Sequence, residues 1–391
     1  MKVNHLVKSL SILSLALLLA ACGKPEQPSS SGSASSSIPD EPSVSVIAPV
    51  EPEPEPEPEP PLPYVNPLTG EGCQTDIGQN RPIAIMLNNH KKALPQLGVS
   101  QADIIYEAPA EGGITRMMGV FQSVEGVGSI GTVRSARDYY VSLAYGHDAV
   151  FLHAGGSPQA YSAIKNWGVT ALDCVNGPYE GTLFWRDKDR RKNAGLEHSV
   201  LTSGDTIQEL LPTYKKVKLE HKEGYSCPMT FLAEEEKAAG QSANSVSVKF
   251  SSYKTGVFTY DAESGLYKIE EYGKPYVDGN TGDQVAVKNV LVLRTDVFSI
   301  KGDDKGRQAV RTTGTGSGQF FCDGTVQDIT WSKKKESSPL TYTTADGKEL
   351  KFGVGTTYVN IVGKSAQVTV SPVAGFWGPT APSPATPGDW S

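Results

Sequence analysis

The sequence predicts an α/β or α+β domain followed by a β-rich domain, behind an export signal and an extended stalk. Three observations predict this. Apolar, partly β-branched runs alternate with helix signals between residues 64 and 212. From 246 onward, short alternating runs are separated by Gly and Asp turns. Forty Gly and 27 Pro among 391 residues argue against a helical bundle.

Residues 1–22 read as a secretory signal. Lys2 and Lys8 supply its positive end, and the apolar run from Leu10 to Ala21 is too short to span a bilayer. The run closes in Leu19-Ala20-Ala21-Cys22, the pattern of a bacterial lipobox, so Cys22 is the expected lipidation site. The chain is then expected to be exported and lipid-anchored on the outer face of the bacterial cytoplasmic membrane. The membrane is its first partner, held through acyl chains each contributing about 0.8 kcal/mol per buried CH₂.

Residues 23–63 form a Ser/Pro/Glu stalk ending in five Glu-Pro repeats from Glu51 to Pro60. Proline favours an extended helix and like charges repel, so the segment is expected to be disordered but stiff, reaching on the order of 100 Å. It also carries most of the acid. Of the formal charge of -7, the residues after 63 keep only -2. A nearly neutral body argues against nucleic acid as a partner.

In 64–212, the runs Pro82 to Leu87, Asp103 to Tyr106, Ile114 to Phe121 and Ala149 to Leu152 read as buried strands. Ser135-Ala-Arg-Asp138 has the spacing of a capping box before Tyr139, Tyr140 and Val141. Ser157-Pro158 predicts a helix start, with the stop at Gly168. Residues 213–245 read as a connector, 246–370 as the β-rich domain and 371–391 as a flexible tail. Cys73, Cys174, Cys227 and Cys322 could pair in three ways or stay free.

Seven of the twelve basic residues in 64–212 are Arg, against three of 21 from 213 onward. The guanidinium fork matches carboxylate and phosphate, so an anion site is expected in the first domain. Four segments could carry it. Arg116 lies inside an apolar strand, downstream of Glu107 and Glu111. Arg134, Arg137 and Asp138 sit at a predicted helix start, where unpaired N–H groups favour anions. His153, Gly155, Gly156 and Ser157 form a strand-to-helix turn. Arg186 and His198 lie in or after a mixed charge run. Each also has a structural reading: an internal Arg–Glu pair, simple capping, a tight turn or a solvated loop. No P-loop, G-x-S-x-G, H-E-x-x-H or EF-hand pattern occurs, so no catalytic residue, cofactor or metal is assigned.

These segments resemble a known family. RPIAIMLNNH, LPQLGVSQADIIYEAPAEGGITRMMGVFQ, GTVRSARDYYVSLAYGHDAVFLHAGGSPQA, FWRDKDRR and EHSVLTS are similar to YerB-like lipoproteins of low-GC Gram-positive bacteria. The later YKIEEYGKPYVDGNTGDQVAVKNVLVL, GSGQFFCDGTVQDITWSKK and DGKELKFGVGTTYVNIV fit as well. The resemblance covers about residues 65–365 and implies paired N- and C-terminal domains of unknown function. It implies no activity. Its relatives tend to read Pro-His-Asn where this chain has Glu197-His198-Ser199.

A weaker, fold-level likeness is to LytR-CpsA-Psr phosphotransferases, where Arg137 and Asp138 would match a Pro-Arg-Asp motif. That likeness implies magnesium and a lipid-linked glycopolymer. Three functions follow as expectations: binding of an anionic envelope ligand, magnesium-dependent phosphotransfer, or a non-catalytic envelope scaffold.

Overall fold

The computed structural model describes residues 61–372. The signal, Cys22, the stalk up to residue 60 and the tail from 373 lie outside the described residues.

The first half supplies β1 (Ile83–Asn88), β2 (Ile104–Pro109), β3 (Thr115–Phe121), β4 (Val150–His153) and β5 (Ala171–Asp173). Its helices are α1 (Asp138–Gly146), α2 (Pro158–Trp167), α3 (Lys188–Asn193) and α4 (Gly204–Leu210). The second half supplies β6 (Ser245–Lys249), β7 (Thr255–Asp261), β8 (Leu266–Glu271) and β9 (Asn289–Thr295). It continues with β10 (Gly314–Cys322), β11 (Thr325–Lys333), β12 (Thr357–Gly363) and β13 (Val368–Ser371). An α/β domain is thus followed by a β-rich one. Within 213–245, two short strands, Thr230–Phe231 and Gln241–Ser242, pair with strands of the second half.

One sheet of eleven strands runs through both halves, in the order β11-β10-β9-β12-β2-β3-β1-β4-β5 along its main body. β12 joins the halves, pairing in parallel with β9 on one side and β2 on the other. The sequence of β2, IIYEAP, explains the need. All but its last residue are buried, and an apolar strand of that kind left at an edge would be a template for aggregation.

Every residue of β1 and β3 is buried, as expected of strands covered on both faces. The period-2 alternation divides their side chains. Ala84, Met86, Met118 and Val120 pack with α1 and α2 residues such as Tyr140 and Ala160. Ile85, Leu87, Ile105 and Met117 face a second sheet, packing with Val246, Phe258 and Ile269. That second sheet runs β13-β6-β7-β8 and is antiparallel throughout.

Local chemistry sets the helix ends. Ser157 Oγ accepts from Ala160 N, Pro158 follows it, and Gly168 closes α2 in the left-handed region at φ 68°. The expected capping box at Ser135 does not form. α1 begins at Asp138 with Arg137 as its N-cap residue. The preceding segment is held extended, because Val133 bridges Leu87 and Ala136 bridges Gly156. Ser135 Oγ instead donates to Ala154 O at 3.1 Å.

Asp278 binds the halves together at the predicted Asp278-Gly279 turn. Its buried carboxylate accepts from Gly98 N at 3.1 Å and from Ser100 N and Oγ at 2.8 Å each. The four cysteines of the described residues are all free. Burial pushes the Cys174 and Cys322 thiols up to about 12, which makes them poor nucleophiles.

Candidate anion site

Strand register gathers the site. β1 and β4 are parallel and β3 runs antiparallel to β1, so the C-terminal ends of β1 and β4 share one edge with the start of β3. In open α/β sheets ligands bind beyond the carboxyl ends of the strands. Asn88 and Ala108 both stand opposite Arg116, in a row across three strands.

Arg116 is 1% exposed. Its Nη2 donates to Glu111 Oε1. The other oxygen, Oε2, accepts from Arg137 Nη2 at 2.6 Å. One carboxylate therefore bridges two buried guanidinium groups. Burial alone would raise the Glu111 pKa, but Arg116 and Arg137 outweigh it and the net direction is down. Burial, with the charge of Arg134 added, pulls Arg116 down to about 10. Arg134 donates Nη1 to Glu197 O at 2.8 Å and Nη2 to Glu197 Oε2 at 3.1 Å.

Several guanidinium N–H groups are buried with no hydrogen-bond partner among the described residues: Arg116 Nε and Nη1, Arg134 Nε and Arg137 Nε. A native fold rarely leaves such donors unused without a functional reason. Three arginines against Glu111 and Glu197 leave a net positive charge.

Two histidines border the arginines. Asn88 Oδ1 accepts from His90 N at 3.1 Å, which directs its amide Nδ2 at His198 Nδ1, 2.8 Å away. His90 Nδ1 accepts from Lys92 N at 3.1 Å. The rings of His90 and His198 stack at 5.2 Å, and Tyr253 of the second half stacks on His90 at 6.1 Å.

The remaining expected residues are placed elsewhere. Glu107 lies on the opposite face of the sheet from Arg116, since it pairs with Met117 and alternation separates them. It receives Thr115 Oγ1 at 2.5 Å, Asn89 Nδ2 at 2.9 Å and Tyr358 OH at 2.5 Å. Lys254 Nζ stands 3.2 Å from it and also pairs with Glu271.

His153 is buried and its Nδ1 bonds Gly155 O at 2.9 Å. Two of the turn's amides are used internally: Gly155 N donates to Asp173 at 2.7 Å and Ser157 N to Ala136 O at 3.1 Å. Gly155 is needed at φ 77°, a conformation few other residues adopt. The His153–Ser157 turn therefore shapes the fold, and Gly156 serves the bridge to Ala136.

Arg186 pairs with Glu180 at 2.7 Å and holds Leu196 O at 2.9 Å, so it braces the His198 turn without joining the arginine group. Asp138 is half-buried at the first position of α1, and burial raises its pKa.

Sequence reasoning missed Asn88, His90, Lys254 and Glu271. The polar Asn-Asn-His directly after an apolar strand was the available signal for the first two. Lys254 and Glu271 look like surface charges of amphipathic strands.

This geometry belongs to a family of paired domains. The chain belongs to the family described as "Protein of unknown function (DUF3048)", whose N-terminal domain matches residues 68–217 and whose C-terminal domain matches 246–359. It is 34% identical over 300 residues to the "Putative lipoprotein YerB" of Bacillus subtilis (strain 168), covering 76% of this chain and 85% of that protein. The crystal structure of the YerB protein from Bacillus subtilis matches with a TM-score of 0.67 at 30% identity, over 78% of this chain and 99% of that one. No helix among the described residues is long and apolar enough to cross a membrane.

Proposed function

We propose that this chain is a lipid-anchored protein of the cell envelope that binds an anionic, phosphate- or carboxylate-bearing ligand at the end of its central sheet. The anchor reading rests on the Leu-Ala-Ala-Cys22 pattern and on the lipoprotein name of its relative. It places the chain on the outer face of the membrane, where an envelope glycopolymer or a lipid-linked anion would be at hand.

One observation carries the ligand reading. The Arg116 guanidinium is buried with Nε and Nη1 unpartnered, beside further unpartnered donors of Arg134 and Arg137. An oxyanion accepts such donors in pairs, in shorter and stronger bonds than neutral groups make. The phosphotransferase alternative would draw on the same arginines, with magnesium held by one or two carboxylates together with the substrate's phosphates.

The test is calorimetric titration of the full chain, in non-ionic detergent at low ionic strength, with inorganic pyrophosphate. The expected result is saturable binding that Arg134→Gln weakens about tenfold, the loss of one charge-assisted contact of 1.4 kcal/mol. Arg134 is the least buried of the three, so its variant should fold. Equal binding by the variant, or none by the parent, would overturn the reading.

A further inference from the structure

We infer that Glu197 is a displaceable counter-ion of this same site: its carboxylate occupies Arg134 and gives way to the bound anion. The inference rests on the anion reading above and adds to it a side chain that competes with the ligand.

The two acids beside the arginines are held differently. Glu111 uses both carboxylate oxygens, one on Arg116 and one on Arg137, and its side chain is 20% exposed. Glu197 uses one oxygen, on Arg134 Nη2, and its side chain is 73% exposed. Among the described residues the Glu197 carboxylate has no other hydrogen-bond partner. Releasing Glu111 would strand two buried guanidinium groups. Releasing Glu197 returns an exposed carboxylate to water, and ion pairs that exposed are weak.

The turn that carries Glu197 does not depend on its carboxylate. Leu196 O accepts from Arg186 Nη1 at 2.9 Å and from Ser199 Oγ at 2.8 Å. His198 Nδ1 is held by Asn88 Nδ2 at 2.8 Å. Arg134 Nη1 donates to the Glu197 carbonyl at 2.8 Å. The carbonyl therefore keeps Arg134 in position when the carboxylate leaves, and the exchange needs a side-chain rotation only.

Arg134 also has an edge to offer. Nε and Nη2 lie on one side of the planar fork, the side that matches two oxygens of a phosphate or carboxylate. Nε is buried without a partner, and Nη2 carries only Glu197 Oε2. An oxyanion on this edge meets the Glu197 carboxylate at Nη2. Two like charges on one nitrogen repel, and the exposed one moves.

The affinity of the site is then set by competition. Removing the Glu197 charge removes the competitor, and the gain passes through Arg134. It should vanish when Arg134 is absent, whereas a charge acting through space alone would give the same gain with or without that arginine.

The full chain, in non-ionic detergent at low ionic strength, is titrated calorimetrically with inorganic pyrophosphate. Four proteins form a cycle: the parent, Glu197→Gln, Arg134→Gln and the double variant. The expected result is that Glu197→Gln tightens binding about two- to fivefold, the range an exposed ion pair allows. In the Arg134→Gln background it should change nothing. Asp189→Asn is the control: an exposed acid on α3, beside this turn, with no bond to Arg134. It removes the same charge and should leave the affinity unchanged.

No gain from Glu197→Gln, the same gain in both backgrounds, or an equal gain from Asp189→Asn would overturn the Glu197 inference and leave the arginine site standing. Absence of pyrophosphate binding by both the parent and Glu197→Gln would overturn both.

Discussion

Lys254→Met should destabilise the fold by about 3–5 kcal/mol, the range for removing one partner of a buried ion pair. Lys254, Glu107 and Glu271 are all buried. Lys254 comes from the turn between β6 and β7, Glu271 ends β8, and Glu107 sits on β2 of the central sheet. The cluster therefore seals the two sheets against each other. Burial works against a charged Lys254, but the carboxylates of Glu107 and Glu271 outweigh it and its pKa moves up. Methionine fills the volume and leaves two carboxyl groups with no cation. Urea unfolding monitored by tryptophan fluorescence measures the loss. A change below about 1 kcal/mol would mean that the lysine carries no such burden.

The same cluster gives the stability a pH dependence. Burial pushes Glu271 up to about 7 from an ordinary value near 4.5. The unfolded chain gives up this proton first. Its contribution is therefore complete below about 4.5 and is lost as pH rises through about 7. Stability should fall across that window, and Glu271→Gln should flatten the fall.

Glu111→Gln should have the second large effect, a loss of about 2–4 kcal/mol, less than for a fully buried pair because Glu111 retains some contact with water. Its carboxylate is the bridge between Arg116 and Arg137. The neutral amide leaves both guanidinium groups crowded by Arg134 without their shared counter-ion. The variant should accordingly gain more stability from added sulfate than the parent does, because bound anion stabilises the folded state by mass action. Thermal melts with increasing sulfate, against sodium chloride at matched ionic strength, measure the difference. A loss that sulfate does not repair would mean that Glu111 is a structural brace with no anion site beside it.

The fold was legible in proportion to how local its signals were. The runs around 82–87, 103–106, 114–121 and 149–152 mark strands because both faces are buried and the apolar pattern is unbroken. Ser157-Pro158 and Gly168 mark a helix because caps act within one turn. The capping box at Ser135 misled because tertiary bridges from Val133 and Ala136 hold that segment extended. The insertion of β12 beside β2 was not legible. A parallel pairing between residue 107 and residue 360 leaves no trace in either segment.

The site divided in the same way. Arginine enrichment drew attention to the first half of the chain, where Arg116 and Arg137 share the Glu111 carboxylate and Arg134 lies close enough to act on Arg116. Glu107 was misplaced by a single residue of strand phase, and only the register against β3 decides that. The His153–Ser157 segment read either as part of an anion site or as a tight strand-to-helix turn; its Gly155 amide is taken by Asp173 and its Ser157 amide by Ala136. The role of Asn88 in orienting His198 depends on a contact across 110 residues, which composition cannot reveal.

An anion site has a location as well as an affinity, and anomalous diffraction from crystals soaked in selenate reads that location. A selenium peak is expected within hydrogen-bond reach of Arg116 Nη1 and Arg134 Nε, and its loss in Arg134→Gln crystals of the same form. Peaks confined to surface lysines, with none beside Arg116, would contradict it.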